Sequence, residues 1–211
     1  MTVRLVHSTV GGDDLIAYMA RVSNPKNQNN KETAPRLIKY LMKHKHWSPF
    51  EMASMCVEIE TTRAIAAQIL RHRSFSFQEF SQRYANSAEL GIAPTHLRTQ
   101  DPVNRQNSND NLCPELQNAY ERRIKALNDE AMELYQEMLD EGVAKECARG
   151  VLPLNTKTRL YMHGTVRSWL HYCDLRMAHG TQREHQEIAC DCFDLLAGCF
   201  PAVAKAYEPC L

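Results

Sequence analysis

The 211-residue chain has no surplus of either charge, with 25 lysines and arginines against 25 aspartates and glutamates. A partner drawn in by a strong field, such as a nucleic-acid backbone, is therefore not what the composition favours. No stretch reaches the roughly twenty consecutive apolar residues that a spanning helix needs. The first residues carry Arg4, His7 and a glycine pair rather than an apolar signal core, so the expectation is a protein that is not secreted. Glycines are few, and none forms Gly-x-Gly-x-x-Gly, which excludes a dinucleotide held in the Rossmann manner. Cysteine is present, but without any Cys-x-x-Cys pair, and Cys190-Asp191-Cys192 is too tight to clip a metal. His44 and His46, like His171 and Cys173, stand two apart and diverge on a helix, so no metal site is expected. Cys192 and Cys199 fall on an apolar helical stripe and read as small buried hydrophobes, with reduced thiols and a cytoplasmic location as the expectation.

The length suits one domain over residues 1–211, with no evident linker. Val3 to Val10 reads as a strand, and Asp13 or Asp14 as the cap of a short helix ending before Asn24-Pro25. Thr33-Ala34-Pro35 starts a helix with Leu37, Ile38, Leu41 and Met42 as its buried stripe, broken at Ser48-Pro49-Phe50. Met55, Val57 and Ile59 alternate with Cys56, Glu58 and Glu60, a half-buried strand. A helix follows from about Thr62 to Arg71, with Ile65, Ile69, Ala66 and Ala67 facing inward. Residues 104–112, nearly all Asn, Gln, Ser and Asp, read as a mobile insert or lid. Pro114 opens the longest helix, whose stripe is Leu116, Tyr120, Ile124, Leu127, Ala131, Leu134 and Met138, and Gly142 stops it. A short helix holds Ala144, Cys147, Ala148 and Val151, and Leu160 to His163 is a second strand. The next helix buries Val166, Trp169, Leu170 and Cys173 and ends at Arg176. Thr181 and Glu184 fit a capping box for the last helix, which buries Ile188, Ala189, Cys192, Leu195, Leu196 and Cys199. Helices and strands do not alternate as in a doubly wound sheet, so the fold class is α+β with a small sheet.

The densest chemistry lies between Arg71 and Arg83, RHRSFSFQEFSQR, with three guanidiniums, an imidazole, a carboxylate and several hydroxyls. Guanidinium forks match phosphate oxygens two at a time, and serine hydroxyls complete such a cradle. A solvated face and a nucleic-acid patch are the other readings. The neutral balance speaks against the patch, and the interleaved Phe75, Phe77, Phe80 and Tyr84 speak against an open surface. Glu79, Ser81 and Arg83 share parity, so an extended segment would turn all three towards one ligand.

Arg71-His72-Arg73, seven residues and then Ser81 resembles the signature of the flavin-dependent thymidylate synthases. His46-Trp47-Ser48-Pro49-Phe50-Glu51, with Gln68 three residues before Arg71, is similar to the family's upstream segment. Ala148-Arg149-Gly150-Val151-Leu152-Pro153, Arg167-Ser168 and Leu175-Arg176 resemble its later motifs in order and approximate spacing, so the likeness runs from about Thr33 to Ile188. It departs at Thr165 and His171, where asparagine is common in relatives. Ala67 stands where arginine often precedes Gln68, and Met52 replaces a frequent histidine.

The resemblance implies a non-Rossmann α+β fold and reductive methylation of dUMP to dTMP. Methylenetetrahydrofolate would supply the carbon, FAD the hydride, and NADPH the reduction of the flavin, in a homotetramer whose sites are shared between subunits. It assigns Gln68, Arg71, Glu79, Ser81, Arg83, Arg149 and Arg176 to dUMP, with Ser81 and Arg83 best suited to its phosphate. Ser48, Arg71, His72, Arg73, Glu79, Thr165, Arg167 and His171 would contact the flavin, and His46 would lie near the flavin ring or the folate entry. Arg176 is the expected catalytic group: a guanidinium beside N3 and O4 stabilises the uracil anion and raises electron density at C5. By themselves, Arg176 and Arg149 are cations near helix ends that answer the dipole, and His46 is a surface histidine at a helix end. The Pro-Cys-His setting of a cysteine nucleophile is missing, because Pro209-Cys210 is followed only by Leu211. Gln182 and Glu184 match a late family motif, and Glu184 serves equally as a helix cap. The competing readings are a nucleotide- or nucleic-acid-binding module on Arg71–Arg83 and a flavoprotein of different chemistry.

Overall fold

Alternation in the sequence correctly marks a strand through Met55, Val57 and Ile59, and a computed structural model describing residues 1–207 shows its extent. In chain order the elements are β1 (Thr2–Ser8), α1 (Gly12–Ala20), α2 (Ala34–Lys43), β2 (Ser54–Thr62), α3 (Arg63–Ile69) and β3 (Ser76–Glu79). They continue with β4 (Thr99–Gln100), β5 (Ser108–Asn109), α4 (Pro114–Asp140), α5 (Lys145–Ala148), β6 (Lys157–Thr165), α6 (Val166–Arg176), α7 (Arg183–Cys199) and α8 (Pro201–Ala206). This is the mixed helix-plus-small-sheet class expected. Two compact units contain them: residues 1–59, 72–78 and 161–211 form the first, and residues 60–71 and 79–160 the second.

The four-stranded sheet has the order β1-β2-β6-β3, so chain neighbours are not sheet neighbours beyond the first pair. Ile16, Ile38, Phe50, Met55, Val57, Ile59, Trp169, Ile188, Leu196 and Phe200 are fully buried around it. α6 buries Val166, Trp169, Leu170 and Cys173 as its spacing predicts, and the Trp169 indole N–H donates to the Met55 carbonyl at 3.0 Å. β6 passes straight into α6, because the Oγ1 of its last residue, Thr165, accepts from the Ser168 N–H at 3.2 Å. Gly164 is required there: a Cβ would stand 2.5 Å from the Phe75 ring.

Two expected caps are corrected. Asp13 does not cap its own helix, whose N-cap is Gly11 at φ 63°; its carboxylate accepts instead from the Ala202 and Val203 N–H groups opening α8. Thr181 and Glu184 form no capping box, since α7 has Gln182 as N-cap and no side-chain cap bond. Thr181 donates to the Leu175 carbonyl, and Gln182 donates to Glu184. Leu37, Met42, Leu195 and Cys199 are half-buried rather than buried.

In the second unit Thr62 ends β2 and caps α3 by accepting from the Ile65 N–H, the same device as Thr165. Ile65, Ala66 and Ile69 are buried, whereas Ala67 lies exposed, about 100° round the helix from Ala66. α4 runs from Pro114, as expected, and ends in a Schellman turn: Gly142 at φ 84° donates to Leu139, and Val143 donates to Met138. Its covered face keeps only Ile124, Ala131 and Met138 of the expected stripe. Only Tyr135 is fully buried, and Leu116, Tyr120, Leu127 and Leu134 face solvent. The half-buried positions Glu121, Ile124, Asn128, Ala131, Met132 and Met138 show a covered face shifted round the axis. Periodicity fixes a helix, but what lies against it decides which side is covered.

Residues 99–109 form an antiparallel hairpin rather than unstructured chain, with Thr99 opposite Asn109 and Gln100 opposite Ser108. Its own amides close it: Gln100 Nε2 donates to Asn107 O at 2.9 Å, and Asp101 Oδ1 accepts from the Val103 and Asn104 N–H groups.

Candidate active site

Arg176, the last residue of α6, is half-buried, and its Nε donates to His72 Nε2 at 2.8 Å. A guanidinium only donates, so His72 Nε2 bears the lone pair and the ring is neutral with its proton on Nδ1. The Arg176 Nη groups have no protein partner among the described residues. His72 lies in the turn after α3, where the Phe75 N–H closes on its carbonyl at 3.3 Å. Its ring meets the Tyr172 ring edge-on at 4.9 Å and 80°. The Tyr172 hydroxyl is hydrogen-bonded to His185 Nε2 at 3.2 Å, and both residues are wholly buried. Burial first, then the positive charge of Arg176, lowers the His185 pKa to about 3, so this imidazole is uncharged at neutral pH. Burial likewise pushes the Tyr172 hydroxyl well above its ordinary range.

The sequence reading missed Tyr172 and His185. The signal was available: Tyr172 is three residues after Trp169, and His185 is three before Ile188, each on a buried stripe. A polar side chain on such a stripe must find a polar partner inside.

The other first-unit residues expected at the flavin stand open. Ser48, which starts a 3-10 turn, Arg73, Arg167 and His171 are exposed, and Thr165 is half-buried as the α6 cap. Arg167 is paired with Glu51 at 2.5 Å, both ends exposed. Exposed His46 sits with Tyr40 and His44 in a ring cluster, with centroids 6.1 and 6.2 Å away. Two arginines, a histidine and a serine accessible on one unit are a donor set that fits phosphate oxygens.

In the second unit the shared parity of Glu79, Ser81 and Arg83 does not hold, because β3 ends at Glu79. The Ser81 carbonyl then accepts from the Tyr84 and Ala85 N–H groups, turning the chain. Glu79 Oε1 accepts from Arg63 at 2.6 Å and from the Thr158 hydroxyl at 2.9 Å, so its nearest cation is Arg63, which the sequence reading did not single out. Arg83 reaches Glu146 at 2.9 Å, both largely exposed, a pair worth little and easily exchanged for a phosphate. Arg71 and Ser81 are exposed, and Gln68 and Arg149 half-buried.

Four of the thiols are poor nucleophiles. Burial raises Cys173 to about 12 and Cys192 far above its ordinary value, and Cys56 and Cys190 are raised as well. Cys210 lies outside the described residues. Among the described residues no group of three or more His, Cys, Asp or Glu side chains could hold a metal ion, and no helix is long and apolar enough to cross a membrane.

The fold is that of a nucleotide methylase. A crystal structure of a UMP/dUMP methylase, PolB from Streptomyces cacaoi bound with 5-Br dUMP, matches with a TM-score of 0.83 and 29% identity, covering 97% of this chain and 93% of that one. The thymidylate synthase complementing protein family matches residues 4–202. A probable flavin-dependent thymidylate synthase of Paramecium bursaria Chlorella virus 1 is 50% identical over 208 residues, 99% of this chain and 96% of that relative. A flavin-dependent thymidylate synthase of Synechocystis is 49% identical, covering 93% of this chain and 89% of its own. The chain belongs to the flavin-dependent thymidylate synthase family.

Proposed function

We propose that this chain is an FAD-dependent thymidylate synthase that converts dUMP to dTMP, with methylenetetrahydrofolate as carbon donor and NADPH as reductant. The observation that carries the reading is its near end-to-end likeness to relatives of that name. FAD, when bound, supplies the hydride, and Ser48, His72, Arg73, Thr165, Arg167 and His171, with Arg71 and Glu79, would hold it. His46 stands at the entry to the flavin or folate.

Arg176 does the activating. Its unpartnered Nη groups suit N3 and O4 of a uracil, where a fixed positive charge stabilises the N3 anion and pushes density to C5. No thiolate is needed, in keeping with the raised thiols of Cys173 and Cys192. Gln68, Arg71, Glu79, Ser81, Arg83 and Arg149 complete the dUMP set, and Arg83 exchanges Glu146 for the phosphate.

The chain acts in the cytoplasm as a homotetramer whose sites are shared between subunits. The exposed Leu116, Tyr120, Leu127 and Leu134 of α4 support such an assembly. Residues 1–211 act as one domain, since β2 and β6 each contribute residues to both units.

The purified protein should be yellow, bleach under NADPH and form dTMP. Arg176→Ala should retain FAD and lose at least about a hundredfold in turnover. Wild-type dTMP formation by that variant would overturn the role of Arg176, and a colourless protein that takes up neither FAD nor dUMP would overturn the function.

A further inference from the structure

The geometry points to His185 and Tyr172 as a buried positioning pair that fixes the His72 ring and, through it, aims the guanidinium of Arg176. The inference rests on the reading of Arg176 as the dUMP-activating group. It names two residues that no assignment above includes.

The chain of contacts is short and lies within one unit. His185, in the first turn of α7, is hydrogen-bonded to the Tyr172 hydroxyl at 3.2 Å. α6 packs on α7, so this bond ties the two helices together near the end that carries Arg176. Tyr172 is held from the other side by Phe75 and Trp169, whose rings meet it at 5.9 Å and 73° and at 5.8 Å and 90°. A tyrosine clamped in this way packs nearly perpendicular to the His72 ring, and that imidazole turns its Nε2 to Arg176 Nε. His185 itself lies 6.3 Å from the His72 ring, nearly perpendicular to it.

The arrangement has a cost that a purely structural role does not require. Two polar side chains are sunk in an apolar core, where a phenylalanine and an aliphatic residue would pack without any polar group to satisfy. The polar pair supplies direction instead. Hydrogen-bonded groups fix a side chain's rotation, which close packing alone leaves less determined. An arginine whose Nε is anchored keeps its two Nη groups in a set plane, and electrostatic activation depends on such placement. His185 stays neutral at working pH, so the bond is not interrupted by protonation.

The test compares Tyr172→Phe, His185→Ala and His185→Gln in flavin-loaded enzyme. Tyr172→Phe removes only the hydroxyl, so it remains informative where His185→Ala does not fold. Tyr172→Phe and His185→Ala should lower kcat roughly tenfold to a hundredfold, with flavin content unchanged. His185→Gln, which can still bond the hydroxyl, should recover kcat to within about threefold of wild type. A second readout needs no turnover: 15N NMR of histidine-labelled protein should show His72 as a single Nδ1–H tautomer in wild type and as a tautomer mixture in Tyr172→Phe.

Wild-type kcat in Tyr172→Phe, or an unchanged His72 tautomer, would overturn the inference while leaving the synthase reading intact. Wild-type protein that makes no dTMP yet shows the tautomer change would sink the function and keep the positioning pair.

Discussion

The two units are stabilised differently. Apart from Ile65, Ala66, Ile69, Tyr135, Ala148 and Leu160, every buried hydrophobic among the described residues lies in the first unit. That unit surrounds a polar chain from Arg176 to His185 with aromatic rings. The second unit relies on ion pairs and amide bonds: Arg63 with Glu79, Arg159 with Glu60, Asn155 with Ala93, and the self-bonded hairpin. A dense core holds a group to one position, whereas exposed pairs exchange partners at little cost. Arg176 is accordingly held by its bond to His72 in the first unit, whereas Arg83 in the second has only an exposed, exchangeable partner in Glu146.

The largest effect should separate the cores. Trp169→Ala removes a wholly buried indole and its bond to Met55, and should cost about 3–5 kcal/mol of unfolding free energy. Leu127→Ala, on exposed α4, should change the subunit's own stability by less than about 0.5 kcal/mol. Denaturant titration of both would erase the contrast if the two losses were equal. Light scattering on Leu127→Ala reads the separate contribution of α4 to assembly.

The next effect depends on pH. The folded pKa of His185 lies below its unfolded value of 6.5, so its contribution to stability is present above pH 6.5. It is lost as pH falls from there towards about 3, by up to about 1.4 kcal/mol per pH unit. Unfolding between pH 7 and 5 should show this slope in wild type and a shallower one in His185→Gln. Equal slopes would mean that the histidine is not buried as described.

In the second unit, Glu79→Gln should cost about 1–2 kcal/mol, because Arg63 loses its charged partner while the Thr158 bond can persist. A thermal melt reads it, and an unchanged midpoint would remove Glu79 from the unit's support. Asp13→Asn should have the smallest effect. Desolvation raises the Asp13 pKa against two backbone donors, so the aspartate's contribution is full below its ordinary 3.8 and falls as pH rises. Asparagine still caps α8, so the variant should match or slightly exceed wild type at pH 7, and a large loss there would contradict this account.

Sequence patterns were sufficient where one element decides the outcome and failed where the covering partner decides it. α6 has its buried stripe at Val166, Trp169, Leu170 and Cys173 as read, and α4 has its start and its glycine stop. The exposed side of α4 was not legible, because Leu127 and Leu134 carry the same period as residues that are buried. Shared parity at Glu79, Ser81 and Arg83 failed because the Ser81 carbonyl collects two N–H groups and turns the chain, which spacing does not encode. The site motifs were legible as a resemblance, but the partners of the site residues were not: Arg63 beside Glu79 carries no local signature, and the buried stripes that hold His185 and Tyr172 call for a polar partner without naming it.

Thr62 and Thr165 join strand to helix with no intervening residue, and this sets a phase. With no slack at the seam, the pleat of β6 dictates the angular setting of every side chain on α6. One residue inserted after Thr165 would turn the helix by about 100°, swinging Arg176 away from His72 and Tyr172 away from His185 together. The threonine at the seam thus acts as an indexing pin, and chain length there is more constrained than residue identity.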